Sequence, residues 1–138
     1  MKKLHKEGIY FILTLLISLL AFVFLFGIEN IKSGDLVLNV HSTYFIIKAT
    51  HFLIVFIPLI FSITYLVRTA VLKFKNLYAN LIYMVFNGSL ILIILSLILN
   101  NLDSSFKANL NLWLTLFILL ILEILILIKT KKLKKHSA

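Results

Sequence analysis

The sequence predicts an all-α integral membrane protein, four transmembrane helices in an antiparallel bundle with both termini cytoplasmic. Three observations predict it. First, four apolar runs, Ile9–Ile28, Ala49–Val67, Leu77–Leu99 and Leu110–Ile128, fill most of the chain, and a helix needs about 20 residues to cross the ~30 Å hydrocarbon core. Second, the runs are continuously apolar and lack the two-residue alternation of a barrel strand; helix and closed barrel are the only two solutions for a backbone in lipid. Third, the basic residues alternate between loops. Eleven of the 14 lie at the amino end, in the second loop or at the carboxyl end, and only Lys32, Lys48 and Lys107 fall in the first and third loops. The positive-inside rule then fixes the orientation.

The first run predicts a helix over 9–28. It is too long for a signal-peptide core, and Phe26-Gly27-Ile28-Glu29 is no cleavage site, so it reads as a mature span. The outer segment Glu29–Ser42 follows. Gly34-Asp35 is a turn signal, and Leu36 to His41 reads as extended. Ser42 or Thr43 can cap the second helix, predicted over 43–67, with Tyr44 and Lys48 as interfacial anchors. Pro58 removes one backbone bond inside that helix. The short loop Arg68–Asn76 makes the second and third helices antiparallel neighbours. The third is predicted over 77–99. The fourth, over 108–128, starts from Asp103-Ser104-Ser105 and ends in the basic tail 129–138. The whole chain reads as one membrane domain.

Composition excludes several classes. The chain has no cysteine, hence no disulfide, thiolate metal site or cysteine nucleophile. Its net charge of +9 is explained by the lysine flanks of the spans rather than by nucleic acid. Thirteen lysines against one arginine also lack the bidentate chemistry that phosphate recognition favours. They suggest an AT-rich bacterial genome, which places the chain in a bacterial inner membrane. The sequence has no nucleophile elbow, no His-Glu-x-x-His and no phosphate-binding loop, so it does not read as an enzyme.

Ionisable groups inside a span are expensive and face protein, water or ligand. His51 is the one histidine within a span and, on a helix begun at Thr43, lies two to three turns inside it. Glu123 lies about a turn and a half from the cytoplasmic end of the fourth helix. Asn87 near the middle of the third helix, followed by Gly88 and Ser89, forms a small polar patch that lets another helix approach.

The stretch Asn39-Val-His-Ser-Thr-Tyr-Phe-Ile-Ile-Lys-Ala-Thr-His-Phe52 resembles the entrance of the tenth helix in haem-copper oxidase subunit I. His41, Thr43, Tyr44 and Phe45 match the opening of that signature, and Ile46 and Ile47 stand for its two valines. The resemblance implies that His51 falls on the histidine that ligates the low-spin haem. Ala49 falls on the ligand of the oxygen-binding haem, so that site is lost, and Ser42 replaces an aspartate. The match covers about 14 of 138 residues, and the copper-binding histidines are absent.

These features predict a non-catalytic subunit or assembly partner of a larger membrane complex, with a respiratory oxidase as the motivated partner. Its contacts would be the lipid bilayer, other integral membrane subunits or a second copy of the chain. One alternative is a b-type haem protein using His51, which needs a second axial ligand from another chain. Another is a small channel or transporter using Glu123 and Asn87. His41 and Tyr44 complete the candidate residues.

Overall fold

A computed structural model describes residues 2–40, 43–100 and 106–136. In chain order these form α1 (Lys2–Phe26), α2 (Ile28–Ser33), β1 (Asp35–Val40), β2 (Thr43–Lys48), α3 (Ala49–Val71), α4 (Leu77–Asn100) and α5 (Phe106–His136). Four stretches within the long helices, Leu4–Phe26, Ala49–Val71, Leu77–Asn100 and Leu110–Leu133, are long and apolar enough to cross a membrane. The chain divides into two compact units, Met1–Phe61 and Ser62–Ala138, with the boundary inside α3.

In the first unit, α1 ends at Phe26, and Gly27 turns the chain at φ +76° while its N–H still reaches the Val23 carbonyl at 2.9 Å. The one-and-a-half-turn α2 stops at Gly34, which is left-handed at φ +80° and returns its N–H to the Ile31 carbonyl. Only glycine takes that conformation without penalty. The chain is thereby redirected into β1, which pairs antiparallel with β2 from Asp35↔Lys48 to Val40↔Thr43. The Gly34 carbonyl accepts the Ala49 N–H at 2.9 Å, closing the base of the hairpin where α3 begins.

Beneath that base lies an aromatic cluster. Phe22 and Phe26 of α1 meet Phe52 and Phe56 of α3, with ring centroids 4.9 Å apart for Phe26–Phe52 and 5.6 Å for Phe22–Phe56. The rings of these two pairs are tilted or edge-on, an arrangement their quadrupoles prefer. Leu36 of β1 is only 1% exposed and belongs to the same cluster, with Ala49. A two-stranded hairpin is marginal alone in water; here it is seated on the ends of two spans.

The sequence predicts extended backbone from Leu36, and β1 is found there. The predicted helix start at Thr43 differs from what the chain adopts. Thr43–Lys48 is strand and α3 begins only at Ala49. Thr-Tyr-Phe-Ile-Ile is β-branched and aromatic, and six paired positions on β1 outweigh a capped helical turn. The last helix is also longer than 108–128 and runs to His136, because Lys-Thr-Lys-Lys-Leu-Lys-Lys contains no breaker and lysine is a good helix former. Likewise α1 begins at Lys2 rather than near Ile9. Asp103, Ser104 and Ser105, the expected start signal of the last helix, lie outside the described residues.

In the second unit, α3 ends in a turn with two left-handed non-glycine residues, Lys73 (φ 50°) and Phe74 (φ 59°). The Phe74 N–H reaches back to the Thr69 carbonyl at 2.8 Å. Asn76 caps α4: its Oδ1 accepts the Tyr78 N–H at 3.1 Å. From there α4 and α5 run antiparallel.

Candidate functional site

Side-chain hydrogen bonds tie α4 to α5 at two levels that share one register. Asn87 Nδ2 donates to Glu123 Oε2 at 2.7 Å and to the Leu119 carbonyl at 3.1 Å. Seven residues earlier on α4, Asn80 Nδ2 donates to the Thr130 hydroxyl at 3.1 Å and to the Phe74 carbonyl at 3.0 Å. Thr130 is seven residues beyond Glu123. The buried residues Asn80, Tyr83, Asn87 and Leu90 of α4 follow the alternating three- and four-residue spacing of a heptad seam. On α5, Leu116, Leu119, Glu123, Ile126 and Thr130 keep the same spacing, with Leu116 and Ile126 buried. Polar side chains occupying seam positions are the usual device for fixing register.

A third helix reaches this seam. Ser62 of α3 donates to Asn87 Oδ1 at 3.3 Å. Both the amide group of Asn87 and its carbonyl oxygen are therefore engaged, and the side chain is fully buried. Close by, the buried Tyr83 hydroxyl faces Ser62 and Glu123 without completing a hydrogen bond. Asn80 Oδ1, one turn away, is also buried and unpartnered. Buried polar atoms left over in this way are ordinarily satisfied by water.

Asn87 and Glu123, two separate candidates in the sequence, are thus direct partners. Glu123 pairs with the eleventh residue of α4 and lies ten residues before the end of the α5 candidate span, about 15 Å along the helix from that end at 1.5 Å per residue. Ser62, one of the few small polar residues in the spans and so a candidate for helix packing, reaches the seam; Tyr83, Asn80 and Thr130 complete it, and the sequence alone does not single them out. The signal that could have found them is the shared spacing Asn80-x6-Asn87 and Glu123-x6-Thr130.

His51 is placed differently from expectation. It is the third residue of α3, in its first turn, and exposed. The deeper position needs a helix starting at Thr43, which is strand. His41 lies outside the described residues, and Tyr44 is described only by its backbone, paired with Asn39. Within the stretch resembling the oxidase helix entrance, Thr43–Lys48 is strand and leads into α3. Among the described residues, no group of three His, Asp or Glu side chains comes together in a way that could hold a metal ion.

What the seam can do chemically follows from its geometry. It holds the Glu123 carboxyl group through a neutral donor, Asn87 Nδ2, and it joins three helices by side-chain hydrogen bonds. That is adhesion and register rather than covalent chemistry. The fold and site together define the class: a small protein with four candidate membrane-spanning helices. No family model, curated protein or solved structure matches this chain.

Proposed function

We propose that this chain is a non-catalytic subunit or assembly partner of a larger integral membrane complex, recognised through the Asp35–Lys48 hairpin. The observation that supports this is how the hairpin is mounted. A two-stranded sheet leaves the outer edge of each strand without a ladder partner, and such edges accept a further strand through main-chain hydrogen bonds. Here the edges are presented on a fixed base, held by the Gly34–Ala49 bond and by Leu36 in the aromatic cluster. The Ser62–Asn87–Glu123 contacts serve internally, holding α4 and α5 in one register.

The lysine distribution supports an inner-membrane orientation with both termini inside, so that the hairpin faces outward. A respiratory oxidase is the partner the resemblance of Asn39–Phe52 favours. Extraction in mild detergent, native electrophoresis and mass spectrometry provide the test. Co-migration with other integral membrane subunits, lost when residues 37–46 are replaced by an equally long Gly-Ser linker, is expected. Migration of the wild type as a bare monomer or homodimer would sink the idea.

A further inference from the structure

The loop after α3 and the end of α5 enclose a shallow depression of about 170 Å³, lined by Lys73, Phe74, Lys129, Lys132 and Leu133. We propose that it is a binding site for the headgroup of an anionic phospholipid, with the three ammonium groups on the phosphate and Phe74 and Leu133 against the glycerol and upper acyl chains.

Four observations carry this. First, the lysines come from two elements, and the convergence is built. Phe74 and Lys73 are left-handed, Phe74 N–H is tied to Thr69, and the Phe74 carbonyl is held by Asn80, which also grips Thr130 of α5. The same side chain thus fixes both walls. Second, basic residues far outnumber acidic ones in this part of the chain. Residues 62–138 contain Arg68, Lys73, Lys75, Lys107, Lys129, Lys131, Lys132, Lys134 and Lys135, against Asp103 and Glu123 alone, and Glu123 is engaged by Asn87. Third, the position is that of a lipid headgroup. Lys129, Lys132 and Leu133 are in the last turn and a half of the α5 span, and Lys73 shortly precedes the α4 span. Fourth, the lining is partly apolar. A free inorganic anion has no use for Phe74 and Leu133, whereas a phospholipid does.

Helical geometry supplies an internal control. At 100° per residue, positions 129, 132 and 133 fall within about 100° of arc, and positions 131 and 134 lie on the opposite side of α5. General attraction to an anionic surface is about equal for all these lysines; a site is not.

The test uses the full chain in a non-ionic detergent, titrated with dihexanoyl phosphatidylglycerol, dihexanoyl phosphatidylcholine and inorganic phosphate, with occupancy read by native mass spectrometry. Phosphatidylglycerol should bind at least about tenfold more tightly than phosphatidylcholine or inorganic phosphate. Lys73→Gln with Lys132→Gln should lower that affinity about tenfold or more. Lys131→Gln with Lys134→Gln, the same change in net charge, should leave it within about twofold, and Lys73→Arg with Lys132→Arg should retain it. Equal losses in the two glutamine variants would reduce the effect to bulk charge and overturn the site. Inorganic phosphate binding as tightly as phosphatidylglycerol would overturn the lipid as its occupant, and so would equal binding of phosphatidylcholine.

Discussion

Asn87 and Glu123 are bonded at 2.7 Å near the middle of two antiparallel spans, and one heptad away on each helix Asn80 and Thr130 are bonded at 3.1 Å. A slip of one residue between α4 and α5 breaks both contacts at once and leaves Glu123 and Thr130 without their asparagine partners. In lipid, where Leu and Ile surfaces are as well solvated by acyl chains as by protein, such pairs decide which alignment forms. The chain is otherwise so uniformly apolar that its leucines and isoleucines could pack in several registers.

Replacing Asn87 therefore has a predictable sign. Asn87→Leu strands Glu123 and Ser62 together and should lower stability by about 1–2 kcal/mol in a detergent unfolding titration. Glu123→Gln keeps an acceptor for Asn87 Nδ2 and should lose clearly less. A double-mutant cycle between the two positions should return a coupling of about 1 kcal/mol. Additive effects would show that the contact does not hold the helices.

Asn80 and Thr130 form an unequal pair. Thr130→Val removes one hydrogen bond, about 0.5 kcal/mol in this environment. Asn80→Leu also releases the Phe74 carbonyl, so the turn at Lys73–Phe74 loses its anchor along with the seam. The expected loss is at least twice that of Thr130→Val, accompanied by faster proteolysis between α3 and α4. Equal losses would mean that the turn holds its shape without Asn80.

The spans are legible in the sequence because length and apolarity alone determine them, and all four lie within a few residues of the predicted positions. Thr43–Lys48 is not, because its local signals, a Ser-Thr cap before an apolar run, serve a helix as well as a strand. The partner strand that decides between them lies earlier in the chain. His51 follows from that ambiguity: a helix begun at Thr43 buries it, and one begun at Ala49 leaves it in the first turn. Asn87 is legible as a polar patch, but its partner is not; register between helices is a tertiary property that spacing alone only hints at.

Gly34 and Gly8 should respond oppositely to alanine. A Cβ added at either would meet nothing within 4 Å, so packing is not the issue. Gly34 is left-handed at φ +80°, where a Cβ is unfavourable by about 1–2 kcal/mol. Gly34→Ala should accordingly weaken hydrogen-exchange protection across β1 and β2. Gly8 is inside α1, and Gly8→Ala should stabilise that helix by about 0.5–1 kcal/mol. Unchanged strand protection in Gly34→Ala would show that the hairpin base tolerates another turn.

His51 on the exposed side of the first turn of α3 is not part of the buried cluster below it. His51→Ala should change stability by no more than about 0.5 kcal/mol. The same variant tests ligation. The purified chain alone is expected to lack a Soret band, because a low-spin haem requires two axial ligands and His5, the other histidine within a candidate span, lies at the far end of α1 from Phe26, which meets Phe52 beside His51. A Soret band in the wild type that disappears in His51→Ala would instead assign a haem shared with another chain.

Orientation can be read with single cysteines, since the chain has none of its own. Lys75, exposed in the turn between α3 and α4, sits among the basic residues that the positive-inside rule retains in the cytoplasm. Lys32, exposed in α2 just before the hairpin, sits on the segment with few lysines. In intact cells an impermeant maleimide should modify Lys32→Cys and spare Lys75→Cys until the membrane is opened. The reverse pattern would turn the chain over, carry the hairpin to the inside, and exclude recognition of a partner at the outer face.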